Sequence, residues 1–239
     1  MSMKKILTFL AIFMSIILFG KDIDITKLEE KEGLLYEKNA KKPFTGNVRS
    51  YYENDTLAEL FSFKDGKQDG LAMIYYENGK VKEESTYKNG ALDGVSTTYF
   101  PDGKKMAESH FKNDTLNGIT RSYYQNGKIK EEYNFKNGKL VGKEKKYFDN
   151  GALRVENNYQ DDKLNGVCKE FYKNKTLRNS ITFKNGEPDG QFKEYHKNGK
   201  LAREGVYKNG LEDGTIKVYS DKGKLISNNN YKNGILLNN

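Results

Sequence analysis

The side chains that most often carry out chemistry in proteins are few in this sequence. The chain of 239 residues has one cysteine, Cys168, and two histidines, His110 and His196. One cysteine excludes an intrachain disulfide and a cysteine-rich metal site. Two histidines leave little material for a zinc centre or a histidine-based triad. We therefore expect no catalytic residue, no metal site and no cofactor.

Glutamates are the remaining candidates for acid–base chemistry, and they recur at regular intervals. Glu84, Glu108, Glu132 and Glu156 follow one another every 24 residues, and Glu204 continues the series after a gap. A repeated carboxylate opposite a repeated basic residue is explained by cross-strand pairing. No phosphate-binding loop of the G-x-x-x-x-G-K-S/T type is present. The sequence therefore predicts a protein that is not an enzyme.

A period of 24 residues organises most of the chain. Glycine recurs at this interval without insertion or deletion, at Gly46, Gly70, Gly94, Gly118, Gly142, Gly166, Gly190 and Gly214. Eight units therefore run from residue 46 to about residue 237. A fixed period of this length is typical of repeat architectures, in which each unit packs only against its neighbours.

Aromatic residues occupy fixed columns when each unit is numbered from its glycine as position zero. Position five is aromatic in all eight units: Tyr51, Tyr75, Tyr99, Tyr123, Tyr147, Phe171, Tyr195 and Tyr219. Position seventeen is also aromatic throughout, and position six is aromatic except at His196 and Ser220. We expect positions six and seventeen to pack the units together. Position five lies among Lys and Glu columns and is the candidate interaction surface, because tyrosine offers contact area at little entropic cost.

Two turns in each unit define the predicted fold. Asn-Gly occurs at positions eight and nine, as in Asn78-Gly79, and at positions nineteen and twenty, as in Asn89-Gly90. Asn-Gly is the strongest short hairpin signal, because both residues of a type I′ turn have positive φ. Lys175, which replaces a turn glycine, should be strained. The spacing predicts about sixteen strands in an all-β, elongated, single-layer antiparallel meander.

Two-residue loops at both turns would fix the pairing of the strands. The first loop would place position six opposite eleven, as in Tyr76 opposite Val81 and Tyr124 opposite Ile129. It would also place position three opposite fourteen, as in Arg121 with Glu132, Lys145 with Glu156 and Lys193 with Glu204. The second loop would place position seventeen opposite twenty-two. This register predicts that positions six, eleven, seventeen and twenty-two share one apolar face.

The unit resembles the MORN repeat, most closely its bacterial variant. The matching residues are the run 75–80, Tyr-Tyr-Glu-Asn-Gly-Lys, and the run 87–94, Tyr-Lys-Asn-Gly-Ala-Leu-Asp-Gly. The chain is also similar to the bacterial family named after the YwqK antitoxin. The resemblance implies an elongated β meander that serves as a scaffold or binding surface. This chain departs from the eukaryotic MORN pattern by lacking tryptophan.

The segment before the repeats is expected to direct the chain out of the cytoplasm. Lys4 and Lys5 precede an uncharged apolar run over residues 6–20, which as a helix would span about 22 Å. That is shorter than the ~30 Å hydrocarbon core, so residues 1–20 are predicted to be a signal peptide, or an inner-membrane anchor if uncleaved. Residues 21–45 are predicted to be an N-terminal segment with a degraded half-repeat that caps the repeat domain, residues 46–239.

Charge and composition narrow the function to binding. Without Lys4 and Lys5 the formal charge is +6, from 39 basic and 33 acidic residues. Lysines stand beside glutamates along the chain, which disfavours a nucleic-acid partner. We expect an exported, non-catalytic protein that presents an extended aromatic and charged surface to a protein partner. The alternatives are an antitoxin-like protein that neutralises a toxin by binding, and a cell-envelope module that binds glycan or lipid.

Overall fold

The computed structural model describes residues 21–237, so the predicted signal peptide lies outside the described residues. This part of the chain consists of β-strands and one short 3₁₀ turn, Ile25–Lys27, and contains no α-helix. The N-terminal segment contributes the strands Lys21–Asp24, Leu28–Lys31 and Leu34–Glu37.

Each repeat unit has a leading strand before its first turn and a returning strand after it. The returning strands are Leu57–Lys64, Val81–Lys88, Lys105–Lys112, Ile129–Lys136, Leu153–Gln160, Leu177–Lys184, Leu201–Lys208 and Leu225–Lys232. Four leading strands are continuous: Gly46–Tyr51, Lys67–Tyr75, Ala91–Tyr99 and Glu187–Tyr195. The other four are interrupted one residue before the unit's glycine: Thr115–Leu116 with Gly118–Tyr123, Lys139–Leu140 with Gly142–Tyr147, Lys163–Leu164 with Gly166–Phe171, and Leu211–Glu212 with Gly214–Tyr219. A final short strand, Ile235–Leu236, pairs with the last returning strand.

The repeat strands form one long sheet in which each strand pairs with its neighbours along the chain. Counting interrupted strands as one gives eight leading and eight returning strands, as the period predicts. All pairs between them are antiparallel. The antiparallel meander predicted for the repeats is confirmed, and the N-terminal segment adds one strand that was not predicted: Lys21–Asp24 pairs in parallel with Gly46–Tyr51 and makes the sheet mixed. After this strand the chain forms a separate hairpin from Leu28–Lys31 and Leu34–Glu37. It then returns to the edge of the sheet as Gly46–Tyr51.

The glycine at position zero allows the close approach of the preceding strand. Gly118 has φ of +129°, and a Cβ there would lie 2.9 Å from His110 Cβ. The backbone bulges at this point, and His110 Nδ1 donates a hydrogen bond of 2.7 Å to the carbonyl of Ile119. Asn158 makes the equivalent bond to the Val167 carbonyl. His110 therefore has a structural role at the bulge.

The second turn has the predicted backbone conformation. Asn89 and Gly90 have φ of +52° and +90°, as a type I′ turn requires. Where aspartate replaces the glycine, it also takes positive φ and its carboxylate links adjacent units. Asp114 Oδ1 accepts a hydrogen bond of 2.8 Å from the backbone N–H of Leu92.

The first turn differs from the prediction. Gly79 has φ of +78°, whereas Asn78 is not in the left-handed region. Gly79 N–H donates to the Tyr76 carbonyl at 2.9 Å and Tyr76 N–H donates to the Lys80 carbonyl at 2.8 Å. These bonds define a three-residue loop, a type I turn followed by a bulge at glycine. Lys175 occupies the glycine position of one such turn with φ of +70°, in the strained conformation that the sequence predicts.

The longer first turn changes the pairing next to it. Position five, not six, lies opposite position eleven, so the pairs are Tyr75 with Val81 and Tyr123 with Ile129. The predicted pairs Tyr76 with Val81 and Tyr124 with Ile129 are therefore wrong. A second irregularity in the returning strand compensates for the extra loop residue and restores the predicted register beyond it. The predicted pairs that are confirmed include Arg121 with Glu132, Lys145 with Glu156, Lys193 with Glu204, and Phe135 with Leu140.

Position six links each unit to the next through its side chain. The hydroxyls of Tyr52, Tyr76 and Tyr124 donate hydrogen bonds of 2.6–2.7 Å to the position-five carbonyls of the following units. His196 replaces tyrosine in this column, and its Nε2 lies 3.0 Å from the Tyr219 carbonyl. Because a carbonyl can only accept a hydrogen bond, His196 donates from Nε2 and makes the same link between units as the tyrosine hydroxyls.

These hydroxyl bonds should contribute measurably to stability. We expect Tyr124→Phe to lower the free energy of unfolding by about 0.5–1.5 kcal/mol, the net worth of one intramolecular hydrogen bond. Urea unfolding followed by circular dichroism measures the change. Tyr123→Phe is the matched control, because the Tyr123 hydroxyl has no hydrogen-bond partner among the described residues. Equal losses in both variants would contradict a linking role for position six.

The interior of the sheet lies on one face, which we call the packed face. This face carries positions two, four, thirteen, fifteen and seventeen. For example, Phe192 at position two packs against Tyr207 at position seventeen, with 4.6 Å between the ring centroids. Position two is the most buried column, with Val48, Ala72, Glu144, Cys168, Phe192 and Ile216 all buried. At the N-terminal end Ile23, Leu28, Phe44 and Val48 form a hydrophobic core, with Leu35 and Phe63 packed against it.

Candidate interaction surface

The opposite face, which we call the stripe face, carries positions one, three, five, fourteen and sixteen. The Tyr219 hydroxyl donates a hydrogen bond of 3.0 Å to Glu204 Oε1 at position fourteen. The Tyr75 hydroxyl lies 3.2 Å from Met73 Sδ at position three. Position five is thereby placed among the charged columns, where the sequence predicts it.

All eight predicted interaction residues are brought together in one row on this face. Each lies opposite the position-eleven residue of its own unit. We call this row of position-five and position-eleven residues the tyrosine stripe. Its position-eleven members are Leu57, Val81, Lys105, Ile129, Leu153, Leu177, Leu201 and Leu225. Tyr51 is 51% exposed and the other seven aromatic members are part-buried.

Position eleven belongs to the stripe face, not to the face of position seventeen that the predicted register implies. Lys105, at position eleven, forms an ion pair with Glu108 at position fourteen. This hydrogen bond and the negative charge of the Glu108 carboxylate raise the pKa of Lys105, while partial burial opposes the shift. The three-residue loop is the cause, because it turns position eleven towards position five.

Three tyrosines of the stripe, Tyr75, Tyr99 and Tyr147, have raised pKa values and are neutral hydrogen-bond donors. Burial raises the pKa of Tyr75 and Tyr99, and the Glu84 carboxylate raises the pKa of both further. Burial likewise raises the pKa of Tyr147, and the Glu132 and Glu156 carboxylates raise it further. These side chains can therefore donate to carbonyl or carboxylate groups of a partner.

Charged side chains beside the stripe are partly paired within the sheet. Arg121 Nε donates to Glu132 Oε2 at 2.7 Å, and Lys143 pairs with Glu156 at 3.2 Å. Ion pairs of this exposure contribute little to stability. They fix the direction of the charged side chains along one side of the stripe and leave the aromatic row beside them open.

The cysteine and glutamate side chains that are candidates for chemistry are buried or hydrogen-bonded within the sheet. Cys168 is 6% exposed on the packed face, and burial raises the pKa of its thiol. The Glu204 carboxylate accepts a hydrogen bond from the Tyr219 hydroxyl. Among residues 21–237, no three His, Cys, Asp or Glu side chains are grouped so that they could hold a metal ion. Within the same range, no helix has the length and apolarity to cross a membrane.

The buried position-two column is the feature that sequence analysis missed. Its members range from alanine to phenylalanine and include Glu144, so no residue type repeats. Glu144 is 3% exposed and is held by Lys146 at 3.0 Å and by the Asn157 side chain. Side chains alternate between the two faces of a strand, so the register of the pairing is needed to assign position two to the packed face.

Comparison with known families agrees with the repeat geometry. The profile of the MORN repeat variant matches the chain eight times, at residues 44–65, 68–89, 92–113, 116–137, 140–161, 164–185, 188–209 and 212–233. Together these matches cover well over half of the chain, and the chain therefore belongs to the MORN repeat variant family. No curated protein matches the chain significantly.

Proposed function

We propose that this chain is an exported, non-catalytic repeat protein whose tyrosine stripe binds another protein. The observation that carries the proposal is the stripe itself, which runs along the stripe face from Tyr51 to Leu225. Eight aromatic and seven aliphatic side chains form it, with Lys105 as the one charged member. An apolar band of this length, rimmed by charged residues, is typical of a protein interaction surface.

The division of roles among the aromatic columns supports this proposal. Position six uses its hydroxyls to join neighbouring units, and position seventeen packs on the packed face. Position five contacts neighbours on its own face, and the described part of the chain places no second layer over it. Tyrosine supplies a large, rigid contact area with a polar end, which suits binding to protein.

Export is supported by the basic start and short apolar run of residues 1–20. It places the stripe in the cell envelope or outside the cell, where a protein partner would meet it. An antitoxin-like role is the narrower form of the same proposal, with a toxin as the protein that covers the stripe. A glycan or lipid partner is the competing form, and the same experiment separates it.

Site-specific photo-crosslinking tests the proposal in the producing cell. A photoreactive amino acid is placed at Tyr147 or Tyr195 on the stripe, and at Tyr159 on the packed face as the matched control. We expect both stripe positions to capture the same protein, in the envelope or secreted fraction, and Tyr159 to capture none. Capture only from Tyr159 would contradict the proposal. So would absence of any crosslink while a wall polymer or anionic vesicles retain the purified chain.

A further inference from the structure

The fold gathers lysines that the sequence scatters. Position three is basic in the last five units, at Arg121, Lys145, Lys169, Lys193 and Lys217. Strand alternation brings these residues to the stripe face, two residues before each aromatic side chain. Lys169, Lys193 and Lys217 are exposed, and none of the three takes part in an ion pair among the described residues. They form a basic row along one side of the stripe.

A second basic row follows the first turns on the other side of the stripe. The last three turns carry exposed lysines at Lys173, Lys175, Lys197, Lys200, Lys222 and Lys224. Lys173 pairs with Asp149 at 2.8 Å, and the Lys200 ammonium donates to the Lys222 carbonyl at 3.0 Å. The remaining lysines of these turns are held by no ion pair within residues 21–237.

The charge of this surface differs sharply between the two ends of the array. Positions three and seven to ten of the last three units hold nine lysines and one aspartate. The same positions of the first three units hold three basic and four acidic residues. Position fourteen, which lies in the same row as position three, adds one carboxylate in these units, Glu204, between Lys193 and Lys217. The C-terminal part of the stripe is therefore an aromatic row between two rows in which lysines outnumber carboxylates, and its partner should be acidic.

The spacing of the row points to the conformation of the partner. Neighbouring strands lie about 4.8 Å apart, so aromatic residues two strands apart repeat about every 9.6 Å. A polyproline II segment has three residues per turn and a rise of about 3.1 Å, which gives a repeat of about 9.3 Å. Every third residue of such a segment faces the same side, and the other two point to either flank.

We propose that Phe171, Tyr195 and Tyr219, with their flanking lysines, bind an acidic polypeptide segment in the polyproline II conformation. Proline or another apolar residue at every third position would lie on the aromatic row. Carboxylates at the two intervening positions would reach the lysines on either side. Aromatic rows bind such segments well because the polyproline II helix is already extended and loses little entropy. This inference rests on the proposed function, since it describes the protein that the stripe binds.

Binding of synthetic peptides to the purified full chain tests the inference. The probe has six repeats of Pro-Glu-Glu and a fluorescent label, and one control has the same composition with the prolines irregularly spaced. We expect the regular peptide to bind at least about tenfold more tightly than the irregular one, a difference of 1.4 kcal/mol. Binding should weaken as salt is raised, because exposed charges are screened. Equal affinity for the two peptides would overturn the conformational match.

Matched charge reversals locate the site. Lys193→Glu, Lys197→Glu and Lys217→Glu together should reduce affinity for the regular peptide at least about tenfold. Lys136→Glu, Lys184→Glu and Lys208→Glu change the net charge equally but lie beside the second turns, and this variant should bind as the parent does. Circular dichroism confirms that both variants fold. Equal loss in both variants would overturn the site, as would tighter binding to anionic vesicles or a single-stranded oligonucleotide.

The two proposals fail in different ways. If neither peptide binds while crosslinking from Tyr195 still captures a protein, the acidic polyproline II partner is wrong and the protein-binding stripe stands. If stripe crosslinking also captures no protein, the proposed function itself fails.

Discussion

Phe44→Ala is expected to unfold the N-terminal cap and leave most of the repeat array intact. Phe44 is 3% exposed, and its ring centroid lies 6.5 Å from that of Phe63. Its backbone also joins the cap to the array, since Phe44 N–H donates to the Leu35 carbonyl at 2.7 Å and its carbonyl accepts from Gly66 at 2.8 Å. Truncating a buried phenylalanine costs about 3–5 kcal/mol, and the core around it is small.

Hydrogen exchange measures this effect unit by unit. In a repeat array each unit contacts only its neighbours, so the loss of one end should stay local. We expect amides of Lys21–Asp24 and Gly46–Tyr51 to lose protection, while those of Leu201–Lys208 keep theirs. Phe100→Ala, at a part-buried position-six site, is the control and should leave the cap protected. Uniform loss of protection along the whole chain would contradict the nearest-neighbour account.

Gly205→Ala is expected to destabilise the C-terminal units through a clash on the packed face. Gly205 stands at position fifteen between two buried position-two side chains, Phe192 and Ile216. A Cβ at this position would overlap Ile216 Cδ1 and lie 2.9 Å from Phe192 Cε1. Overpacking of this kind costs about 1–3 kcal/mol, which urea unfolding can measure.

A second substitution distinguishes this clash from other causes of destabilisation. Ile216→Val removes the methyl group that the new Cβ would meet. Alone it should destabilise the parent by about 0.5–1.5 kcal/mol, but in the Gly205→Ala background it should restore part of the lost stability, since only the contact with Phe192 then remains. Asn229→Ala, at the same position of the next unit, controls for the position. If Ile216→Val lowers stability equally in both backgrounds, the clash is not the cause.

Turn chemistry accounts for both what could be predicted from the sequence and what could not. The glycine at position twenty follows a residue that also has positive φ, as in Asn89-Gly90, and Asn-Gly there specifies a type I′ turn correctly. Asn78-Gly79 has the same two letters, but Asn78 instead binds the next unit, donating from Nδ2 to the Pro101 carbonyl at 3.1 Å. The same loop forms at Asp102-Gly103, where position eight has no amide to donate, so this contact accompanies the loop and does not by itself decide it. Glycine takes positive φ in both kinds of loop, and the Asn-Gly dipeptide alone therefore does not distinguish them.

The register shows how an error beside a turn can leave the rest correct. Position three still meets fourteen because the returning strand compensates for the longer loop. Position five moves next to eleven, so the aromatic column gains a row of aliphatic partners that the sequence had placed with position seventeen. The segregation of lysines towards the C-terminal end was hidden for a related reason. Glutamates adjacent in sequence, such as Glu170 and Glu194, alternate to the packed face and leave Lys169 and Lys193 on the stripe face.

The most direct test of the separation between binding and packing columns uses two phenylalanines of one unit. Phe171 lies in the tyrosine stripe opposite Leu177, and Phe183 lies on the packed face near Cys168 and Ile181. Each is replaced by serine, and the fraction of partner protein crosslinked from Tyr195 is measured under conditions where circular dichroism shows both variants folded. We expect Phe171→Ser to lose most of the crosslinked product and Phe183→Ser to retain it. Retention by Phe171→Ser with loss by Phe183→Ser would show that the partner binds the packed face and that the stripe is not the binding surface.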